Sequence, residues 1–196
     1  MRDCFAALGV VLLVGCADVR ERPGTGADTT SADTSATPAA ADPEVRDSAF
    51  YALRVYPLDS FPQIPSDVRS ALMAIGCNEI PQAYTSRKPH NVIQGEFSVA
   101  GQTDWAALCH RDWTSELTVV WGGPSKCSSR LNPAPSSSDR YIAAASMDYI
   151  LERADRYGGP QPPARDHGGI DDGSAEKAST VQFCHQGQWI ELSGAD

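Results

Sequence analysis

The sequence lacks any apolar run of about 20 residues, the length that a membrane-crossing helix requires. Basic residues are also few, because 16 Lys and Arg stand against 25 Asp and Glu, which gives a formal net charge of -9. An acidic surface repels phosphate backbones, so we do not expect nucleic acid among the partners. The sequence therefore predicts neither a transmembrane helix nor a nucleic-acid-binding protein.

The usual catalytic motifs are missing as well. The sequence contains no Gly-x-Ser-x-Gly nucleophile elbow and no phosphate-binding Gly-x-x-x-x-Gly-Lys-Ser/Thr loop. No two of its four histidines stand at a metal-ligand spacing, and no two cysteines form a Cys-x-x-Cys pair. These absences argue against an α/β-hydrolase, a nucleoside triphosphatase and a structural zinc site, and no cofactor is expected.

The N-terminus has the pattern of an export signal. Phe5 to Val14 is a continuous apolar run, long enough for a signal core and too short to span a bilayer. The next residues, Leu13-Val14-Gly15-Cys16, resemble the lipobox of bacterial lipoproteins. That resemblance implies that the thiol of Cys16 accepts a diacylglyceryl group and that residues 1–15 are removed as a signal peptide.

Lipidation at Cys16 implies a location for the mature chain. Several acyl chains hold a protein on a membrane far more firmly than one, since each buried methylene adds about 0.8 kcal/mol. Ala17 follows the cysteine, and Asp18 comes after it. In enteric bacteria an Asp directly after the Cys tends to retain lipoproteins in the inner membrane. Here Ala17 occupies that position, which favours the outer membrane. We therefore expect a lipid-anchored protein of the cell envelope, at the outer membrane.

Residues 16–46 read as a lipidated tether. They are rich in Ala, Thr, Asp, Pro and Gly, with no aromatic residue and almost no large aliphatic one. Such a segment cannot bury enough apolar area to offset its conformational entropy, so we expect it to be disordered. Residues 47–196 are expected to fold as a single globular domain.

The predicted body is an α+β fold. Apolar spacing predicts helices over residues 66–76 and 148–157, and alternation predicts a meander of strands over residues 91–97, 104–110 and 116–121. A C-terminal hairpin is predicted over residues 180–192, with Phe183 and Trp189 as a cross-strand pair. Residues 122–139 and 161–174 are predicted as loops. We therefore expect a small antiparallel sheet, a meander plus the C-terminal hairpin, with two helices and disulfide bonds.

Four cysteines remain in the predicted body: Cys77, Cys109, Cys127 and Cys184. An even number in an exported domain favours two disulfides, and four cysteines allow three pairings. The preferred pairing is Cys77 with Cys109 and Cys127 with Cys184. The first bond would tie the first helix to a strand, and the second would tie the middle loop to the final hairpin.

Residues 95–106, Gly-Glu-Phe-Ser-Val-Ala-Gly-Gln-Thr-Asp-Trp-Ala, resemble one unit of an FG-GAP or VCBS-type repeat. In those repeats a hairpin loop often binds calcium through acidic side chains. Here Ser98 and Ala100 occupy positions where the family has Asn or Asp, and Asp104 is the main remaining oxygen donor. The alternative is a tight hairpin whose turn is capped by Asp104.

Two groups of residues are candidates for a site. The segment of residues 166–176 concentrates acids and one histidine among glycines, which are the residue types that ligate metals. Tryptophans on or beside strands form the second group, because an exposed indole can stack on a sugar or contact a protein. The metal candidates are Asp166, His167, Asp171, Asp172 and Glu176, and the binding candidates are Trp113 and Trp121.

The favoured function is a non-catalytic binding or structural module of the envelope, with the membrane as one partner and an envelope protein or glycan as another. One alternative is a small envelope hydrolase or metal-dependent enzyme that uses His167 with Asp166, Asp171 or Asp172. A second is an inhibitor that inserts a rigid loop into the cleft of a secreted enzyme. An enzyme requires its acids and histidine to converge in a pocket, whereas a binding module exposes a contact patch.

Overall fold

The computed structural model describes residues 52–125 and 127–195 of the chain. These residues contain ten β-strands, in two antiparallel sheets, and two α-helices. The predicted signal peptide, the lipobox and the tether lie outside these residues. Within them, no helix has both the length and the apolar character needed to cross a membrane.

The first sheet has the strand order β1-β2-β4-β5-β6, and β3 pairs with the same edge of β4 as β2 does. The long β4–β5 hairpin forms its centre, and every pairing is antiparallel. Its strands are β1 (Arg54–Pro57), β2 (Glu79–Gln82), β3 (Val92–Gly95), β4 (Asp104–Arg111), β5 (Thr114–Val120) and β6 (Arg130–Pro135).

The second sheet has the order β10-β9-β8-β7, again with antiparallel pairings only. Neighbours in sequence are therefore neighbours in space, which is the simplest connection for antiparallel strands. Its strands are β7 (Arg140–Ala145), β8 (Gly169–Ser174), β9 (Ser179–His185) and β10 (Gln188–Ser193).

The two helices begin and end close to where the sequence predicts. Helix α1 spans Ser66–Ala74, and Gly76 follows it with a positive φ of 79°. Helix α2 spans Met147–Tyr157. The side chain of Ser146 caps α2 by accepting a hydrogen bond from the Tyr149 amide, and Gly158 ends it in the left-handed conformation.

The core lies in three layers. Residues of the first sheet pack against residues of the second, as Leu117 and Ile170 show, and both are fully buried. Helix α1 covers the other face of the first sheet through Leu72, and α2 covers the other face of the second sheet through Ile150. The inner faces of the two sheets therefore pack against each other, and each outer face is covered by one helix.

Both disulfides occur, as the sequence predicts. The structure joins Cys77 to Cys109, 32 residues apart, and Cys127 to Cys184, 57 residues apart. These are the two preferred pairs. The first bond links the segment after α1 to β4, and the second links the β5–β6 connection to β9 of the other sheet.

Sheet structure is more extensive than the small sheet expected from the sequence, and the two predicted loops are wrong in part, because each contains a strand. Strand β6 lies within residues 122–139, and its Pro133 and Pro135 are tolerated because β6 is the edge of its sheet. Strand β8 lies within residues 161–174 and is a central strand despite its two Asp and two Gly residues.

The predicted Phe183–Trp189 pair is also wrong. In the β9–β10 register, Trp189 lies opposite Cys184, and Phe183 lies opposite Ile190. A shift of one residue places two side chains on opposite faces of a sheet. Phe183 therefore packs in the α2 layer, and Trp189 packs in the layer between the sheets.

Candidate functional site

The acidic segment of residues 166–176 does not form one cluster. Asp171 and Asp172 are consecutive residues of β8, so their side chains point to opposite faces of the second sheet. Asp171 lies on the face covered by α2, where the hydroxyl of Tyr149 donates to it. Asp172 lies on the face toward the first sheet, where it pairs with Arg140.

Asp171 is a buried carboxylate without a cationic partner among its hydrogen-bond contacts. Its Oδ2 accepts hydrogen bonds from the hydroxyls of Tyr141 at 3.4 Å and Tyr149 at 3.2 Å. Burial raises the pKa of Asp171, the nearby charge of Asp172 raises it further, and hydrogen bonds from Ser179 and the two tyrosines oppose the rise. Burial together with the Asp171 charge also raises the pKa values of both tyrosines.

Asp172 belongs to a saturated ion pair. Arg140 donates from Nε and Nη2 to the two oxygens of Asp172 at 2.9 and 2.7 Å, a bidentate geometry. Its Nη1 donates to the carbonyl and hydroxyl of Ser115, and Nη2 also donates to the carbonyl of Asn132. All five N–H donors of Arg140 are thereby engaged. The pair joins β5, β6, β7 and β8, and it is a link between the two sheets.

The remaining members of the segment lie elsewhere. The His167 ring is buried and stacks on Phe183 with a centroid distance of 4.3 Å. The nearest oxygen of Asp166 is 3.9 Å from His167 Nε2, and the Asp166 side chain is mostly exposed. Glu176, in the turn before β9, accepts a 2.8 Å hydrogen bond from the hydroxyl of Tyr84.

These positions separate the five predicted metal ligands into different environments. Over residues 52–125 and 127–195, no group of three or more His, Cys, Asp or Glu side chains is arranged to hold a metal ion. Of these five residues, only Asp166 and His167 line cavities together: one is also lined by Ser98 and His185, and the other by Glu96 and Met147. The geometry therefore brings this pair together and separates it from Asp171, Asp172 and Glu176.

Asp104 caps the hairpin that resembles an FG-GAP unit. One oxygen of its fully buried carboxylate accepts from the Phe97 amide at 3.0 Å and from the Ser98 hydroxyl at 3.4 Å. The other accepts from the Gln102 amide group at 2.6 Å and from the Gly122 amide at 2.9 Å. The carboxylate therefore has its oxygens engaged by groups of the protein itself.

Trp113 is the most exposed large apolar side chain among the described residues, at 79 %. It stands with Asp112 in the two-residue turn that joins β4 to β5, and both have positive φ, 48° for Asp112 and 63° for Trp113. The Ser136 amide donates to the Trp113 carbonyl at 2.8 Å, and the His110 ring meets the indole edge-on at 6.4 Å. The turn is thus held in place while the indole faces solvent.

Trp121, the other tryptophan candidate, does not extend into solvent as Trp113 does. It stacks on Trp189 with a centroid distance of 5.8 Å, in the layer between the two sheets. Its indole nitrogen is buried and has no hydrogen-bond partner among the described residues. Trp121 is therefore a packing residue between the sheets, and Trp113 is the tryptophan available for contact.

A polar cleft of about 360 Å³ opens at the margin between the two sheets. The sequence analysis did not select it, because its residues come from β6, β7, β8, β9 and β10 and share no motif. Only the strand alternation of the final hairpin indicates that Thr180 and Gln182 share a face. The polar residues along it are Asn132, Ser137, Arg140, Asp172, Ser174, Ser179, Thr180, Gln182 and Glu191.

Comparison of the chain with protein-family models, with curated proteins and with solved structures finds no match.

Proposed function

We propose that this protein is a lipid-anchored, non-catalytic binding module of the cell envelope, attached to the outer membrane through Cys16, and that Trp113 contacts its partner. The anchor is supported by the lipobox-like Leu13-Val14-Gly15-Cys16 at the end of an apolar run. The tether then separates the membrane from the domain. The partner is an envelope protein or glycan.

The observation that carries the binding role is the placement of Trp113. Two-residue hairpin turns with positive φ at both positions favour Asn-Gly or Asp-Gly, and a bulky residue there is strained. Trp113 accepts this backbone conformation and leaves 79 % of its surface in water. Such strain concentrates at functional sites, and tryptophan is enriched among residues that dominate binding energy.

The enzyme alternative has less support from the geometry. The fold separates His167 and Asp166 from Asp171 and Asp172, and the Asp172 carboxylate is already paired with Arg140. The inhibitor alternative is favoured by the same hairpin, because a rigid turn that presents one large side chain has the form of an inhibitory loop. In that case the partner is a secreted enzyme whose cleft accepts the indole of Trp113.

The anchor is tested by replacing Cys16 with Ala. We expect the variant to incorporate no labelled fatty acid, whereas the unaltered chain should incorporate it and begin at Cys16 after processing. Mass spectrometry of the mature protein checks the start residue. Fatty acid that still enters the variant, or a mature chain that begins elsewhere with a free thiol at Cys16, would contradict the anchor.

The contact role is tested by Trp113→Gly, which suits the positive φ and removes the indole. We expect the folded state to keep or gain stability, by up to about 1 kcal/mol, because glycine relieves the strained turn. Capture of partners from solubilised envelope should be lost. Met73→Ala is the matched control, because Met73 is 54 % exposed and lies on α1. If the Trp113 variant captures the same partners as the unaltered chain, the contact role is wrong.

A further inference from the structure

The polar cleft between the sheets is lined by one glutamine side chain that is almost wholly buried, Gln182. Gln182 lies in the middle of β9, is 2 % exposed and lines the cleft. Its side-chain amide makes no hydrogen bond to any residue within 52–125 and 127–195. Neither amide atom is among the enclosed unpaired side-chain atoms of the described residues, so the amide reaches the open cleft and can bond with a molecule that enters it.

Gln82 is a glutamine of the same fold whose side-chain amide makes its hydrogen bonds within the chain. It is equally buried, at 1 %, and its amide nitrogen donates to the carbonyls of Ile80, Pro81 and His90 at 3.0 to 3.1 Å. Its amide oxygen accepts from the His90 amide at 2.8 Å. Gln82 is satisfied from within the chain, whereas Gln182 has its donor and acceptor free for a molecule in the cleft.

The strand register places further polar groups beside Gln182. Glu191 of β10 lies directly opposite Gln182, and Thr180 lies two residues away on the same face of β9, opposite Asp172. Side chains opposite each other or two positions apart on one face are within reach of a single small molecule. The cleft, at about 360 Å³, has the size of a small-molecule site.

The charges of the cleft limit the chemistry of a ligand. Arg140 is its cation, and all five of its N–H donors are engaged, two of them by Asp172. Arg140 and Asp172 cancel in charge, which leaves the carboxylate of Glu191. A negative lining without a free cationic donor disfavours phosphates and carboxylates.

The cleft also lacks a large apolar anchor. The exposed large apolar side chains of the described residues are Met73, Ile75, Val99, Trp113 and Tyr157, and none of them lines it. Small apolar groups are present at Ala134, Pro135 and Ala178. The lining therefore suits a ligand with many hydroxyl groups and a modest C–H surface.

We propose that the cleft between the two sheets binds a neutral saccharide unit, with the Gln182 amide donating to one ring hydroxyl and accepting from its neighbour. The hydroxyl of Thr180 and the carboxylate of Glu191 contact further hydroxyls. This site lies apart from Trp113 and goes beyond the contact role proposed for that residue.

The test is a titration followed by nuclear magnetic resonance of the full ¹⁵N-labelled chain, in a detergent without a sugar headgroup. The probes are the neutral sugars glucose, galactose, mannose and N-acetylglucosamine, together with anionic glucuronate and cationic glucosamine. We expect at least one neutral sugar to shift the side-chain amide signals of Gln182, and glucuronate to bind at least about tenfold more weakly.

Gln182→Met keeps the volume and removes both hydrogen-bonding groups. We expect it to weaken sugar binding at least about tenfold and to leave the urea midpoint of unfolding unchanged or raised. Gln82→Met should lower that midpoint, because it removes four hydrogen bonds made within the fold. Gln94→Met, at an exposed position of β3, is the binding control and should leave the affinity unchanged.

Three results would overturn the saccharide site. They are a failure of every neutral sugar to shift the Gln182 signals, unchanged affinity in Gln182→Met, and a loss of stability in Gln182→Met as large as that in Gln82→Met. Binding of glucosamine or glucuronate alone would likewise refute a neutral ligand. Trp113→Gly should leave sugar binding intact, so failure of the contact role and failure of this site can be told apart.

Discussion

Replacing Arg140 with Met should destabilise the domain more than most single substitutions. The Arg140 and Asp172 side chains are only 10 % and 9 % exposed, so the ion pair is largely shielded from water. Met has a similar length and donates no hydrogen bond. The substitution leaves the Asp172 carboxylate and the carbonyls of Ser115 and Asn132 without the donors that Arg140 supplies.

The size of the expected loss in the free energy of unfolding follows from the charge that Asp172 keeps without its partner. Breaking a buried ion pair by removing one partner typically costs about 3–5 kcal/mol, because the remaining charge stays desolvated. Domains of this size are stable by only about 5–15 kcal/mol, so the variant should be close to its folding limit at 37 °C. Asn132 still donates to Asp172 at 3.2 Å, which places the expected loss toward the lower end of the range.

Urea denaturation at neutral pH measures this effect, with the slope m unchanged if the transition stays two-state. The double variant Arg140→Met with Asp172→Leu is the control, because it removes the orphaned charge together with its partner. It should recover a large part of the stability. A loss below about 1 kcal/mol in the single variant, or a double variant no better than the single one, would refute a role for this ion pair in holding the sheets together.

Two further predictions concern pH. Asp171→Asn should raise the free energy of unfolding at neutral pH by about 1–3 kcal/mol, since Asp171 Oδ1 is buried without a hydrogen-bond partner among the described residues. Because folding raises the pKa of Asp171, this gain should vanish below about pH 3.8, where both states are protonated; urea melts at several pH values check it. Burial, aided by the charge of Arg54, lowers the pKa of His90, whose Nε2 accepts from the Ala83 amide at 2.9 Å. The contribution of neutral His90 to the free energy of unfolding should be complete above about pH 6.5 and should decline below that pH. His90→Gln should flatten the decline, and an equally steep decline in the variant would contradict this prediction.

The sequence predicts the elements whose signals are local. Helix α2 is an example, because Ser146 before it, Gly158 after it and the apolar spacing all agree. The β3–β4–β5 meander is another, because short turns separate strongly alternating segments. The two disulfides agree with the even number of cysteines in the predicted body and with the pairing preferred from the sequence.

The elements that the sequence does not predict depend on distant partners. Strand β8 contains Asp171, Asp172 and Gly173, which are poor strand formers, and two neighbouring strands determine its conformation. In the sequence its two Asp residues resemble the acids of a metal-binding loop. In the strand, consecutive side chains point to opposite faces of the sheet, so the two carboxylates are separated. Strand β6 carries two prolines and is possible because it lies at a sheet edge.

The candidate sites, like the secondary-structure elements, are only partly predictable from local sequence. The residue type and the flanking turn suggest Trp113, but exposure decides between it and Trp121, and exposure depends on how the sheets pack. Nothing local distinguishes Gln182 from Gln82. The difference lies in whether a neighbouring segment, here the one that contains His90, reaches the amide.

The order of the two disulfides along the chain bears on how easily the native pairing can form. Among the four cysteines of the described residues, each pairs with the next one in sequence, so the bonds neither cross nor nest. If the chain is exported from its N-terminus, as the proposed function requires, a thiol oxidant would meet Cys77 and Cys109 before Cys127 and Cys184. The first pair could then close before either cysteine of the second pair is present as a wrong partner.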